Sequence, residues 1–340
     1  MIDFRYHLVS IVAVFLALAV GIVLGSAALN GPITNALRRS VVVAQQQADR
    51  ARAAKQNADQ QLNGAQSFAQ ANSHLILGDQ LSGQHVVLVQ APGAPGAVTS
   101  GVASALTEAG AVITGHVQLQ AAFLDPSSAT QSRLGTLAKS LTPAGLTLTN
   151  GSSQAEAAQV LAAAIVSKDG PGQPAVGVAD SGSAAILSGF AAGGFLTDSG
   201  APSSHANLAV VIIPASPPAT GTANAASQSL VTVGQQINLA DQGTVFAGSV
   251  SGSGPGSAID VLRTGGHTRM SSVDNADTPI GQYVVVQALS ELTRGHSGNY
   301  GIDAGATAPG PSPAPSPSPS ATPTATPNKS AHRSHGAATG

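Results

Sequence analysis

An uncharged apolar run near the N-terminus constrains this chain more than any other feature. Residues 8–29 read LVSIVAVFLALAVGIVLGSAAL and carry no charge over 22 positions. As a helix rising about 1.5 Å per residue, the run spans roughly 33 Å, enough to cross a hydrocarbon core of about 30 Å. It is longer than the roughly 7–15 apolar residues of a secretory signal. We therefore predict a retained transmembrane helix; cleavage near Ser26-Ala27-Ala28 is the alternative.

The charges that flank this run do not by themselves fix its orientation. Arg5 precedes it, while Arg38 and Arg39 follow about ten residues beyond its end, so the positive-inside rule is ambiguous. A short polar N-terminus can stay in the cytoplasm, and a cysteine-free remainder rich in Ser, Thr and Pro suits export. We predict a single-pass plasma-membrane protein with residues 1–7 in the cytoplasm and its bulk outside.

Small residues recur every four positions along the same run. They are Ala13, Ala17, Gly21 and Gly25, and the last two form a G-x-x-x-G pattern. In lipid such a stripe lets two helix backbones approach closely, so packing drives their association. We predict a dimerisation face here; the alternative is chance, because alanine and glycine are abundant throughout the chain.

A heptad pattern fills residues 33–80, after a helix-start signal at Gly31 and Pro32. Ten of its twelve seam positions are apolar, and six of those ten are alanine. We predict a weak parallel coiled-coil dimer, a stalk, with Leu37, Val41 and Leu62 among its larger seam residues. A single long helix folded back on its own domain is the alternative. The seam positions are Leu37, Val41, Ala44, Ala48, Ala51, Lys55, Ala58, Leu62, Ala65, Ala69, Asn72 and Ile76.

Short apolar runs alternate with helical patterns over residues 84–302, which is typical of a parallel α/β fold. We predict a Rossmann-like α/β head domain. It holds six basic and eleven acidic residues, a net charge of −5, so we expect no nucleic-acid partner. The predicted strands are Val86–Val89, Ala111–Leu119, Ala175–Val178, Leu208–Ile213 and Thr244–Gly248; the predicted helices cover a stretch ending near Ala109 and residues 153–167, 183–191, 223–238 and 280–294.

The residues argue against a bound cofactor and against catalysis. The loop after the first strand has Gly93 and Gly96 but lacks G-x-G-x-x-G, and its prolines remove N–H donors that a pyrophosphate needs. The chain has no cysteine, which excludes a thiolate nucleophile and cysteine metal sites. Nine histidines are scattered along the chain with no helical i,i+4 pair. We expect no cofactor and no enzymatic activity.

The densest polar motif is SSVDNADTPIGQ at residues 271–282. Two carboxylates three positions apart can serve as a catalytic pair or bind a hard cation. The same residues also fit a helix start, with a capping side chain followed by proline and negative charge near the N-terminus. We expect the capping role. The motif residues concerned are Asp274, Asn275, Asp277, Thr278, Pro279 and Gly281.

The C-terminal segment, residues 303–340, holds eight prolines, including the run PSPAPSPSPS. Together with Ser, Thr, Ala and Gly, this composition cannot bury a core. We predict a disordered tail. Whether it is glycosylated or serves as a spacer through the envelope stays open.

Several strings together give a family resemblance over residues 1–302. These are the opening MIDFRYHLVSIVAVFLALAVGIVLGS, the coiled stretch, HVVLVQAPG, and SVDNADTPIGQ with the later GNYG. In this order they resemble the actinobacterial copper transporter MctB family. The resemblance implies a role in copper transport or homeostasis, with copper as the only metal suggested and an outer-membrane location for some members. It also implies a second role, because a corynebacterial relative is a coiled-coil partner in the control of peptidoglycan hydrolases and cell separation.

The residues support these two implications unequally. One apolar span is too little for a channel made of helices, and the ligands that copper prefers are scarce, with no Cys and two Met. We therefore expect a membrane-anchored, non-catalytic dimeric scaffold of the copper-homeostasis family. The alternative is a regulator of cell separation that acts through an envelope or cell-division protein partner.

Overall fold

The computed structural model describes residues 4–30, 32–168, 178–216, 222–266 and 269–312. The apolar N-terminal run is confirmed as a helix, α1 (Phe4–Asn30). Within the described ranges, its segment Arg5–Ser26 is the one helix long and apolar enough to cross a membrane, and none of that segment is buried.

A second, longer helix follows, α2 (Pro32–Ala71), of 40 residues. Every residue from 37 to 65 is exposed. The predicted helical stretch to residue 80 is interrupted at Asn72, whose side-chain amide donates to the carbonyl of Phe68 at 2.8 Å. The same carbonyl also accepts from the Asn72 backbone N–H at 3.1 Å, and Asn72 lies between the end of α2 and the short α3 (Ser73–Leu77).

The rest of the described chain alternates helices and strands. Its strands are short, and eight α-helices connect or follow them in the described residues. In chain order the elements are β1 (His85–Gln90), α4 (Gly96–Glu108), β2 (Val112–Leu119), α5 (Ala121–Leu124), α6 (Ser128–Leu141), α7 (Ser153–Ile165), α8 (Asp180–Ala192), β3 (Leu196–Gly200), β4 (Leu208–Ile212), α9 (Thr222–Ala240), β5 (Gly243–Ala247), α10 (Ala258–Thr264), β6 (Ser271–Val273), α11 (Pro279–Leu292) and β7 (Asn299–Tyr300).

The seven strands form one mixed sheet in the order β3-β2-β1-β4-β5-β6-β7. All neighbours are parallel except β2 and β3, which are antiparallel. The strand order reverses between β1 and β4: the chain first builds outward through β2 to β3, then returns to the middle and builds the other half. The α/β class predicted from the sequence is thereby confirmed.

Helices cover both faces of the sheet, because the strand side chains alternate and both sets are apolar. On β1, Val87 and Val89 point into one core with α6, α7, α8, α9 and α10. Val86 and Leu88 point into the other, with α3, α4 and α11. The final turn of α2 joins this second core through Ala69.

Four of the five predicted strands are confirmed as β1, β2, β4 and β5. Most of the fifth, residues 175–177, lies outside the described residues. Three strands were not predicted. Of these, β3 is exposed over four of its five residues, while β6 and β7 have three and two residues. Helices α5, α6 and α10 were not predicted either.

The folded region continues past residue 302, where we expected the tail to begin. The Gly301 N–H donates to the Ala308 carbonyl at 3.1 Å. The Asp303 carboxylate accepts a hydrogen bond from Ser253 Oγ at 2.8 Å. Residues 303–308 are thus part of the fold, whereas the prediction of disorder over residues 313–340 concerns positions outside the described ranges.

Candidate functional site

The 271–282 motif lies where β6 ends and α11 begins. Thr278 is the N-cap of α11: its Oγ1 accepts a hydrogen bond from the Gly281 N–H at 3.1 Å and donates to the Asn275 carbonyl at 2.8 Å. Pro279 occupies the first helical position, where its missing N–H costs nothing. A Cβ on Gly281 would lie 1.8 Å from the Asn275 oxygen, so only glycine fits this turn.

Asp274 is fully buried and all its hydrogen bonds are to groups of the fold. Its carboxylate accepts from Arg263 Nη2 at 3.0 Å and from the backbone N–H groups of Ile302 and Asp303 at 2.8 and 3.2 Å. Gly301 makes room for it, since a Cβ there would lie 2.0 Å from Asp274 Oδ1. The arrangement fastens the segment after β7 to the end of β6.

Arg263 completes this buried pair from α10. Its Nε donates to Ser272 Oγ at 2.9 Å, and its Nη2 also donates to the Tyr300 carbonyl at 2.9 Å. A buried ion pair contributes to stability only when such additional bonds satisfy both groups, which is the case here. Asp277, by contrast, is exposed. The two motif carboxylates therefore stand in different environments and do not form a shared catalytic or cation-binding pair.

Helix α11 also contacts the end of α2. Tyr283, in the second turn of α11, is 7% exposed, and its hydroxyl donates to the Ala69 carbonyl at 3.2 Å. Burial raises the pKa of the Tyr283 hydroxyl, so this group stays protonated and a donor across the physiological range. The helix that begins at this motif therefore contacts the last turn of α2.

A second tyrosine fixes the other end of α11. Tyr300 on β7 donates a hydrogen bond from its hydroxyl to the Glu291 carboxylate. Burial, with this carboxylate beside it, raises the pKa of Tyr300. Gly298 leaves space for the ring, because a Cβ there would lie 2.4 Å from the Tyr300 oxygen. The GNYG string thus secures β7 against the helix that the 271–282 motif begins.

The residues predicted for dimerisation are all exposed. Ala13, Ala17, Gly21 and Gly25 lie on α1, and a Cβ on either glycine would meet no atom of the chain within 4 Å. On α2 the exposed fractions are 62% for Leu37, 48% for Val41 and 53% for Leu62. The single chain leaves these side chains uncovered.

The C-terminal end of the predicted seam has a different role. Ala69 is 6% exposed and packs in the core formed by α11 and α4. Ile76 is 36% exposed, whereas the off-seam residues Phe68 and Leu75 are 69% and 82% exposed. At Ala69 the seam packs against the protein's own α/β domain, so the continuous exposed part of the seam ends near Ala65. Sequence reasoning missed this because the covering residue, Tyr283, is 214 positions away.

The described residues hold no group of three or more His, Cys, Asp or Glu side chains that could bind a metal ion. His205 is buried at a positive φ of 51°, with Nε2 3.1 Å from Ser183 Oγ and 3.2 Å from the Ala163 carbonyl. These contacts fix the ring within the core. His267, His332 and His335 lie outside the described residues.

Taken together, these features define a class of protein. It has one N-terminal helix that is long and apolar enough to span a membrane, then a long exposed helix whose end is fastened to an α/β head. The family model described as "Copper transport outer membrane protein, MctB" matches residues 1–311. The chain belongs to the MctB family.

Curated relatives match over nearly their whole length. The chain is 31% identical over 320 residues to a Mycobacterium leprae protein named "Copper transporter MctB", covering 91% of this chain and 98% of that one. It is 29% identical over 311 residues to proteins of the same name from Mycobacterium tuberculosis and Mycobacterium bovis, covering 90% of this chain and 98% of each relative. The residues matched by the family model therefore include α1, α2 and the α/β domain.

Proposed function

We propose that this chain is a membrane-anchored cell-envelope protein that acts in copper homeostasis as a non-catalytic, dimeric scaffold. The copper role is carried over from relatives named copper transporters. The scaffold role rests on one observation: α2 exposes every residue from 37 to 65 and carries an apolar seam along that length. A partner then binds the paired stalk or the head.

Pairing of α2 is favoured by what surrounds its seam. Leu37, Val41 and Leu62 are about half exposed or more, and burying them removes apolar surface from water. The positions between them are mainly Gln, Asn, Arg, Lys and Asp, which suit a solvated face. Alanine at most other seam positions allows a close approach but buries little area. The stripe on α1 adds a second contact, and two linked weak contacts bind more tightly than either alone.

A scaffold also fits the ligand chemistry better than direct copper conduction does. Copper(I) prefers thiolate and thioether ligands, and the chain has no Cys and two Met. A channel of helices needs several spans, and the described residues contain one candidate span. In this proposal the protein organises a copper pathway without forming the ion's route, and the head lies outside the cytoplasm with residues 1–7 inside.

We also propose that the head has a Rossmann-like fold. The strand order β3-β2-β1-β4-β5, with helices on both faces, supports this relation. The loop after β1 nevertheless lacks the glycine pattern that binds a pyrophosphate. The head is therefore proposed to be a non-enzymatic relative of that fold.

Cysteine cross-linking tests the dimer directly, because the chain has no cysteine of its own. Leu37→Cys, Val41→Cys and Leu62→Cys each place a thiol on the seam, whereas Gln60→Cys places one on the opposite face of α2. For the full chain in membranes, a parallel dimer predicts disulfide-linked dimers at all three seam positions and few at Gln60. Equal cross-linking of the four variants would contradict a seam-specific stalk.

A cellular experiment tests the copper role. The gene is deleted, and copper tolerance and septum separation are compared in the deletion strain and in a strain carrying Leu62→Asp. The proposal predicts loss of copper tolerance in both strains with normal separation. Defective separation with normal copper tolerance would instead assign the scaffold to cell division.

A further inference from the structure

The sheet has one point where the strand order reverses, and the structure has an open cleft there. After β1 the chain passes to α4 on one face, whereas after β4 it passes to α9 on the other. Loops that leave two neighbouring parallel strands toward opposite faces leave a crevice beyond the carboxyl ends of those strands. In open α/β sheets this is where ligands bind.

The cleft has a volume of about 470 Å³, within the range of small-molecule sites. Residues that follow four different strands line it: Pro92 after β1, Leu124 after β2, Ile213 and Pro214 after β4, and Ala258 after β5. Its walls are mainly apolar. The Ala215 N–H reaches the Gly93 carbonyl at 3.5 Å and closes the end between β1 and β4.

One ionised group lies at the rim of this cleft. The Asp125 carboxylate accepts hydrogen bonds from the Ser127 N–H at 2.9 Å, from Ser127 Oγ at 2.7 Å and from Thr130 Oγ1 at 2.7 Å. The side-chain and backbone bonds from Ser127, with that from Thr130, lower the pKa of Asp125. The carboxylate is therefore negative at neutral pH, and its Oδ1 keeps a lone pair for another donor.

The charged side chains of the described lining favour a cation over an anion. No Lys, Arg or His is among the described residues that line the cleft. Two prolines on its wall, Pro92 and Pro214, offer no N–H to an anion. A phosphate or carboxylate placed against the described lining would meet the Asp125 carboxylate and no cationic side chain.

We propose that this cleft binds a small, largely apolar molecule with one positive charge, such as a primary amine on an aromatic or aliphatic body. The apolar walls cover the body of the ligand, and Asp125 receives the charged donor at the rim. This cleft is distinct from the buried pair of Asp274 and Arg263 and from α2. It gives the head a ligand chemistry different from that of the nucleotide-binding α/β domains.

Three probes that share a benzene ring and carry a positive charge, no charge or a negative charge test this inference: benzylammonium, benzyl alcohol and benzoate. Each is titrated against the full chain in nanodiscs at pH 7 by saturation-transfer NMR, with empty nanodiscs as the blank. We expect saturable binding of benzylammonium, weaker binding of benzyl alcohol and none of benzoate. Benzoate binding as tight as that of benzylammonium would overturn the proposal.

Two substitutions locate the binding. Asp125→Asn should weaken benzylammonium binding roughly tenfold and leave benzyl alcohol nearly unchanged, because only the charged contact is lost. Ala226→Phe fills the cleft from α9 and should abolish the binding of both. Asp198→Asn, which removes an exposed carboxylate on β3, is the matched control and should change neither.

Unchanged benzylammonium binding in a folded Ala226→Phe protein would also overturn the proposal. Thermal unfolding establishes whether that variant folds. If the Ala226→Phe variant does not fold, the Asp125→Asn variant provides the test. A benzylammonium affinity of that variant equal to that of the unsubstituted chain would exclude the Asp125 carboxylate as the partner of benzylammonium.

Discussion

The Tyr283 hydroxyl donates a hydrogen bond to the Ala69 carbonyl, 3.2 Å away, and so connects the head to the last turn of the stalk. The same carbonyl accepts from the Asn72 N–H at 3.1 Å. The end of α2, where helix carbonyls lack helical partners, is thus satisfied by a side chain 214 positions later in the chain. Stalk and head are joined by this bond as well as by the backbone.

Removing the Tyr283 hydroxyl should loosen this joint. We expect Tyr283→Phe to cost about 1 kcal/mol, because a largely buried hydrogen bond is lost while the ring still packs. Hydrogen exchange of the amides in α3 and the last turn of α2 measures the effect. Tyr300→Phe removes the other buried tyrosine hydroxyl and is the control; exchange at α3 that rises equally in both variants would contradict a local role for Tyr283.

Neutralising Asp274 should destabilise the head strongly. Asp274→Asn leaves Arg263 buried without its counter-charge, and we expect a loss of about 3–5 kcal/mol in the free energy of unfolding. Asp277→Asn alters an exposed side chain three positions away. It should change the free energy of unfolding by less than about 0.5 kcal/mol. Urea denaturation measures the free energy of unfolding of both variants. Similar losses in the two would contradict a stabilising role for the buried pair of Asp274 and Arg263.

Asp241 should make stability depend on pH. Burial raises its pKa to about 8, against the opposing hydrogen bond from Thr244. Its stabilising contribution is therefore complete below the unfolded pKa near 4 and falls as the pH rises to about 8, by up to about 1.4 kcal/mol per pH unit.

Asp241→Asn removes this titration while keeping an oxygen for Thr244. Compared with the unsubstituted chain, the variant should become progressively more stable between pH 5 and about pH 8. Denaturation curves at several pH values measure the difference. A constant difference over this range would show that Asp241 titrates normally.

The small-residue stripe on α1 should contribute to pairing in the membrane. Gly21→Ile adds bulk on the proposed contact face and should lower the dimer association constant about tenfold, or about 1.4 kcal/mol. Ala19→Ile adds similar bulk on the other side of the helix and should have little effect. Single-molecule photobleaching in lipid bilayers gives the dimer fraction; equal effects of both changes would exclude a specific face.

Elements with strong local patterns could be predicted from the sequence. The apolar runs of β1, β2, β4 and β5 indicate buried parallel strands, and Thr278 with Pro279 indicates the start of α11. The strand β3 could not be found this way, because LTDSG is polar and its strand conformation depends on antiparallel pairing with β2. Strands of two or three residues, as in β6 and β7, carry too little pattern.

The site was harder to predict than the fold, because its decisive contacts join distant positions. The spacing of Asp274 and Asp277 indicates a helix start, but nothing local shows that Arg263 and the backbone of Ile302 complete the first carboxylate. The seam pattern likewise continues through Ala69 to Ile76, although the head covers Ala69. The cleft at Asp125 draws on the ends of four strands, which the sequence does not place together.

The length of α2 has a mechanical consequence. Forty helical residues extend about 60 Å, so α2 is long enough to act as a spacer between α1 and the α/β domain. Deleting one heptad would lower the head by about 10 Å while preserving the seam. The number of heptads in α2 therefore sets, in steps of about 10 Å, the largest distance that this helix can place between α1 and the α/β domain.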